Sequence, residues 1–300
     1  MTSSNQHTHC LICNSEKLKL MSGYEIAYLT RCSDCGFVFS SRIPSTQELI
    51  SYYEGYGRND YLSPITIKRY HEILDQFESS RKTNKLLDVG CGIGYFLEVA
   101  KKRGWEVYGT EYTEDAIKIC ESKGIQMKQG ILDPTHYELE SFDVITSFEV
   151  IEHINNPQVE ISHISSLLRK GGLFYLTTPN FNSLLRFYLG SKYNIICWPE
   201  HLSYYTPSTL NKLIKKYQFK KVFIQTTGIS ITRFLTSKKP SSSEEEILEG
   251  TEFISADTQD EKLRTRFESN KILGLAKKTI NRLLSFSGKG DAMKGLFQKI

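Results

Sequence analysis

Along residues 83–235, short apolar runs alternate with segments whose apolar positions recur at helical spacing. A first run, Leu86, Leu87 and Val89, enters a glycine-rich turn and then the helical stretch YFLEVAKKRG, which Gly104 terminates. WEVYGT reads as a second strand ending at Glu111. Thr113 is placed to N-cap the next helix, with Glu114 and Asp115 in its first turn and Gly124 near its end. IQMKQG reads as a third strand, and FDVITSFEVIEHI as a fourth with its loop. Asn156-Pro157 opens a helix that keeps Ile161, Ile164, Leu167 and Leu168 on one face. LRKGGLFYLTTPN follows as a fifth strand preceded by Gly171-Gly172, and residues 219–234, beginning FKKVFIQT, as a sixth. Strands and helices alternating in this way predict an α/β fold, a mostly parallel sheet with helices on both faces.

The pattern changes at both ends. Residues 17–31 alternate loosely, with Leu18, Leu20, Ile26 and Tyr28 around Gly23, and predict a β-hairpin. Residues 236–262 are rich in serine and acids and read as a flexible insertion. Beyond them Ile272, Leu273, Leu275, Ile280, Leu283 and Leu284 recur at helical spacing, opposite Lys277, Lys278 and Arg282. A helix packed on the sheet before a last strand in GDAMKGLFQKI fits this spacing; a membrane-surface helix is the other reading. The expected division is a small β module over 1–42, a tyrosine-rich linker and helix over 43–82, the core over 83–235, the insertion, and a C-terminal helix and strand over 263–300.

Composition adds bounds. With 39% hydrophobic and 24% charged residues in 300, a wholly disordered or fibrous chain is excluded. The 38 basic and 34 acidic residues leave a net charge of +4, too weak a bias for a dedicated duplex-binding protein. No apolar run approaches the ~20 residues of a membrane span. The opening MTSSNQHTHC lacks a secretory signal pattern, so the expected location is the cytoplasm, where thiols stay reduced.

That expectation bears on four of the seven cysteines. Cys10-x-x-Cys13 and Cys32-x-x-Cys35, separated by 18 residues, have the spacing of two knuckles around one tetrahedral, structural zinc ion. Gly36 permits the backbone reversal after the second pair. His7 and His9 stand close enough to be alternative ligands. Two disulfides, or a redox C-x-x-C, are the competing readings; the first needs an oxidising compartment and the second a βαβ context that neither pair has.

The glycine turn reads Asp88-x-Gly90-x-Gly92-x-Gly94, not the G-x-G-x-x-G of dinucleotide-binding folds. Glu111 stands 17 residues later at a strand end, where a carboxylate can accept hydrogen bonds from both hydroxyls of a ribose. This pattern resembles motif I of class I S-adenosylmethionine (SAM) dependent methyltransferases, and the later landmarks follow that family's order over about residues 65–230. The resemblance implies a Rossmann-like sheet with a seventh, antiparallel strand. It also implies SAM as cofactor, contacted by Asp88, Gly90, Cys91, Gly92, Gly94, Glu111, Tyr112, Ile131, Leu132 and Phe148.

Methyl transfer needs an acceptor held in line with the methyl group and a place for the acceptor's proton. Glu149-x-x-Glu152-His153 follows the fourth strand, and WPEHLSYYTPSTL carries Glu200-His201 before a helix capped by Thr206 and Pro207. Together they resemble methyltransferases of sugars and quinones, in particular nucleotide-sugar C-methyltransferases with an N-terminal zinc-binding module. That resemblance implies His201 as base with Glu200 as its partner, and His153 as a second candidate. It also implies a small-molecule acceptor such as a nucleotide sugar or glycan precursor, and Tyr53 and Tyr56 reaching over it. A packing role for these tyrosines, and a bracing role for His153, are the plainer readings. A rival resemblance is to small-RNA 3′-terminal 2′-O-methyltransferases, in which Glu149, Glu152, His153 and His201 would bind one divalent ion.

Overall fold

The computed structural model describes residues 6–53, 62–229 and 271–300. At the N-terminus, β1 (Leu18–Leu20), β2 (Leu29–Cys32) and β3 (Val38–Ser40) form an antiparallel sheet, with Leu18 opposite Cys32 in the expected hairpin. Of the alternating apolar residues, Leu20 and Ile26 are exposed, and the small core under the sheet is built from Tyr24, Ala27, Leu29 and Val38 with Phe181 and Tyr204. A fourth strand, β9 (Ser203–Tyr204), pairs with β3 and comes from the core beyond residue 200. The module is therefore completed by a distant segment, because β3 would otherwise leave an unpaired edge.

The connecting segment contains α1 (Thr46–Tyr53) and α2 (Pro64–Asp75), the latter capped by the Ser63 side chain on Thr66 N–H. The core then runs β4 (Lys85–Val89), α3 (Tyr95–Lys102), β5 (Glu106–Glu111), α4 (Glu114–Ser122), β6 (Gln126–Gln129), β7 (Phe142–Phe148), α5 (Pro157–Leu167) and β8 (Leu168–Pro179). It continues through α6 (Leu184–Leu189), α7 (Pro207–Ile214), β10 (Phe219–Thr227), α8 (Lys271–Ser287) and β11 (Ala292–Lys299). The seven-stranded sheet has the order β10-β11-β8-β7-β4-β5-β6, and β11 is antiparallel to both neighbours.

Adjacent residues of the central strands serve opposite layers. Leu86 and Val144 pack with Phe96 and Leu97, while Leu87 and Ile145 pack with Ile161 and Ile164. Two buried faces explain why these strands read as continuous apolar runs.

Local details differ in places. Thr113 is the N-cap of α4 as expected, but its side chain makes no cap hydrogen bond, while Asn156-Pro157 opens α5. Leu168, read as helical, opens β8, and Gly171-Gly172 lie within that strand's bounds. The sixth strand, β10, ends at Thr227, and the acidic insertion 236–262 lies outside the described residues. The Thr206 capping box on Thr209 and the antiparallel last strand occur where expected.

Candidate active site

The carboxyl ends of β4, β5 and β7 converge on the glycine turn. Gly90 and Gly92 both have positive φ, 66° and 54°, but for different local reasons. A Cβ on Gly90 would lie 2.6 Å from Val150 Cγ2, whereas one on Gly92 would meet nothing within 4 Å. Gly90 thus lets the turn pack on the loop after β7, and Gly92 presents bare backbone to an open space. Gly94 is the N-cap of α3, packed on Cys120.

Glu111 faces this turn. Its Oε2 accepts from Gly92 N–H at 3.0 Å, and its Oε1 accepts from Tyr112 N–H at 2.7 Å and Thr113 N–H at 3.3 Å. These bonds fix the carboxylate at the strand tip. Tyr112 and Ile131 are exposed at the ends of β5 and β6, while Leu132 is buried in the core. Cys91 is part-buried, with its sulfur against Gly109 and Met127. Phe148 packs on Phe96 at 4.9 Å and Tyr175 at 5.7 Å between ring centroids. Asp88 is buried beneath the turn and accepts from Thr146 Oγ1 at 2.7 Å; burial, and then the charge of Glu111, push its carboxyl up to about 7. A carboxylate for a diol, bare glycine backbone and two exposed apolar side chains suit the ribose, tail and adenine of SAM.

A second group lies on the loop after β7 and the segment before β9. Leu202 N–H donates to the Glu152 carbonyl at 2.8 Å, Ser40 N–H to the Leu202 carbonyl at 2.8 Å, and the His153 Nδ1–H to the Glu200 carbonyl at 3.0 Å. The cysteine module thereby holds the segment that carries Glu200 and His201. His201 Nδ1 is 2.8 Å from the Ile195 carbonyl, so both imidazoles donate from Nδ1, and the neutral form of each has its lone pair on Nε2. Their ring centroids are 4.9 Å apart. Ligand atoms of Glu152, His153 and His201 lie within 4.8 Å of one another, a spacing that can hold a divalent ion. Glu149 is exposed and outside this triplet.

Burial keeps the Glu152 carboxyl well above its ordinary range, reinforced by the charge of Glu149, and it accepts from Thr178 Oγ1 at 2.8 Å. Burial also lowers His153, against the raising effect of Glu200. Glu200 is buried and accepts from Tyr52 Oη at 2.7 Å, and Cys197 Sγ is 3.2 Å from the same phenol. Burial raises the Cys197 thiol to about 11 and, with Cys197 and Glu200 beside it, raises the Tyr52 phenol. Of the tyrosines singled out from sequence, Tyr53 ends α1 and Tyr56 lies outside the described residues. Tyr52, Thr178 and Cys197 carry no sequence signal of their own; Tyr52 meets Glu200 across 148 positions.

The sulfurs of Cys10, Cys13, Cys32 and Cys35 also lie within 4.8 Å of one another, with Cys10–Cys35 at 3.4 Å and Cys13–Cys32 at 3.5 Å. Sulfurs ~2.3 Å from one tetrahedral zinc would be about 3.8 Å apart, so the four-thiol set fits that ion. None forms a disulfide. Positive φ falls at Gly36 and also at Asn14, which reverses the chain after the first pair. The histidines have other partners: His7 Nε2 meets Asn155 Oδ1 at 2.6 Å and His9 Nε2 meets Glu16 at 3.1 Å.

The strand order, the antiparallel last strand and the glycine turn facing a strand-end carboxylate define a Rossmann-like methyltransferase fold. The chain belongs to the methyltransferase-domain family, which matches residues 61–223, more than half of its length. It is 29% identical over 140 residues to a ubiquinone biosynthesis O-methyltransferase of Leptothrix cholodnii, covering 42% of this chain and 60% of that protein. A protein of the same description from Coxiella burnetii is 27% identical over 140 residues, covering 44% and 58%. The chain thus spans about three fifths of the length of these curated relatives. A SAM-dependent methyltransferase from Archaeoglobus fulgidus shares the fold with a TM-score of 0.51 at 19% identity, covering 84% of this chain and 99% of that one.

Proposed function

We propose that this protein transfers the methyl group of SAM to a hydroxyl of a small metabolite, a nucleotide sugar or a glycan precursor, with His201 as the base. The observation that carries this reading is the pairing of the Glu111–Gly92 cradle with a Glu-His segment held by the cysteine module. When bound, SAM supplies an electrophilic methyl on a sulfonium. Glu111 orients the ribose, the open face of Gly92 admits the tail, and His201 Nε2 takes the acceptor's proton. The relatives' description as O-methyltransferases supports oxygen as the acceptor atom. Structural zinc on the four cysteines belongs to the same proposal.

The test is a pair of measurements on His201→Ala. Loss of a general base lowers turnover by about 100-fold or more, and SAM affinity by calorimetry stays close to wild type. Unaltered turnover excludes His201 as base. A second reading is favoured by the convergence of Glu152, His153 and His201. A divalent ion there would make His201 a ligand and activate a bound hydroxyl directly, including an RNA 2′-hydroxyl. Activity abolished by chelation and restored by Mg²⁺ or Mn²⁺ selects that reading.

A further inference from the structure

Among the described residues, α8 buries Leu284 against β10 and leaves a second apolar face exposed. Leu284 packs inward, its carbonyl accepting from Thr226 Oγ1 at 2.8 Å, and Asn281 Oδ1 accepts from Gly228 N–H at 2.9 Å. Ile280, Leu283 and Phe286, at successive three-residue steps, all face outward, with Leu283 64% and Phe286 94% exposed. The end of α8 abuts α6. Leu184 N–H donates to the Lys289 carbonyl at 3.0 Å, and the Lys289 ammonium sits 4.1 Å from the Phe187 ring centroid. Leu184, Phe187 and Tyr188 on α6 are exposed as well. A surface this apolar across two adjoining helices is uncommon on a protein that has no partner there.

Its charge identifies the partner. Residues 271–290 contain five basic residues and no acid; residues 181–197 contain two basic residues and no acid. The chain as a whole carries 38 basic and 34 acidic residues, so these stretches do not follow from overall composition. Arg186 adds its guanidinium 4.0 Å from the Phe187 centroid. Exposed aliphatic and aromatic side chains on stretches whose charged residues are all basic match an interfacial helix lying on an anionic bilayer. Among the described residues no helix is long and apolar enough to cross a membrane.

We propose that the α6–α8 surface docks the protein on anionic membranes, with Leu283 and Phe286 entering the headgroup region and Arg282 and Lys289 facing lipid phosphates. This places the segment between β8 and His201, to which α6 belongs, beside the lipid surface. It rests on the surface alone and holds whichever acceptor is methylated.

The experiment is co-sedimentation of the full chain with vesicles of phosphatidylcholine, with and without phosphatidylglycerol, at low and high salt. The expected result is binding to the anionic vesicles only, weakened by salt. Leu283→Ser with Phe286→Ser lowers it by about tenfold or more, and Arg282→Glu by at least about fivefold. Thermal unfolding and SAM affinity, unchanged in these solvent-facing variants, separate lost docking from lost folding. Absence of binding to anionic vesicles overturns the proposal, as does binding that these variants leave intact. Self-association that the same variants abolish, without vesicle binding, makes the surface an interface between copies and also overturns it.

Discussion

Replacing Gly92 by alanine isolates the cradle from the fold. The added methyl meets no atom within 4 Å, so the only folding cost is backbone strain at a φ of 54°, about 1–2 kcal/mol. In the proposed binding mode the same methyl stands where the cofactor tail would pass the backbone. Displacing a bound group by one carbon there, beside the Glu111–Gly92 hydrogen bond, lowers SAM affinity by about tenfold or more, roughly 1.4 kcal/mol. Gly90→Ala makes the contrast. Its Cβ is forced to 2.6 Å from Val150 Cγ2, so overpacking adds to the strain, for a total of about 2–5 kcal/mol. Urea unfolding and calorimetric titration of both variants read the two quantities separately. The reasoning fails if Gly92→Ala binds SAM as tightly as wild type, or if it loses as much stability as Gly90→Ala.

Glu111→Ala removes the proposed ribose acceptor and the bond that fixes the turn, and SAM affinity falls by about 1–3 kcal/mol; unchanged calorimetry would exclude the ribose role. Asp88 is a buried titratable group beneath the cradle, with its folded value raised to about 7. A raised value favours the protonated folded state, so its contribution is full below pH ~4 and is lost as pH rises through ~7. Asp88→Asn, which stays neutral, therefore gains on wild type by a few kcal/mol between those limits; parallel stability curves for apo protein would refute this. Metal analysis of purified protein gives about one zinc per chain. Cys32→Ser loses it and lowers turnover more than SAM affinity, because the module holds the His201 segment; a metal-free wild type contradicts the zinc assignment.

The fold was legible because its information is local. Leu86 and Leu87 feed opposite layers, so β4 had to read as an unbroken apolar run, and the glycines had to follow at its end. The two C-x-x-C pairs were legible for the same reason, since each knuckle is one turn. Features built between distant segments were not. The β3–β9 pairing joins residues 38–39 to 203–204, and with the Ser40 N–H bond to the Leu202 carbonyl it ties the cysteine module to the segment that carries His201. Tyr52 meets Glu200 across 148 positions, a contact that depends on how α1 sits on the core. Glu152 and His201 share no periodicity, yet Leu202 N–H on the Glu152 carbonyl sets them side by side.

Transfer of label from methyl-labelled SAM to nucleotide sugars, quinone-type phenols and short RNAs tests the proposed reaction most directly. Each acceptor is assayed after brief EDTA treatment, with and without added Mg²⁺, while zinc content is followed. Label in a small hydroxylated metabolite, indifferent to Mg²⁺ and abolished by His201→Ala, is the expected result. Mg²⁺-dependent label at an RNA 2′-hydroxyl would contradict it and make Glu152, His153 and His201 metal ligands.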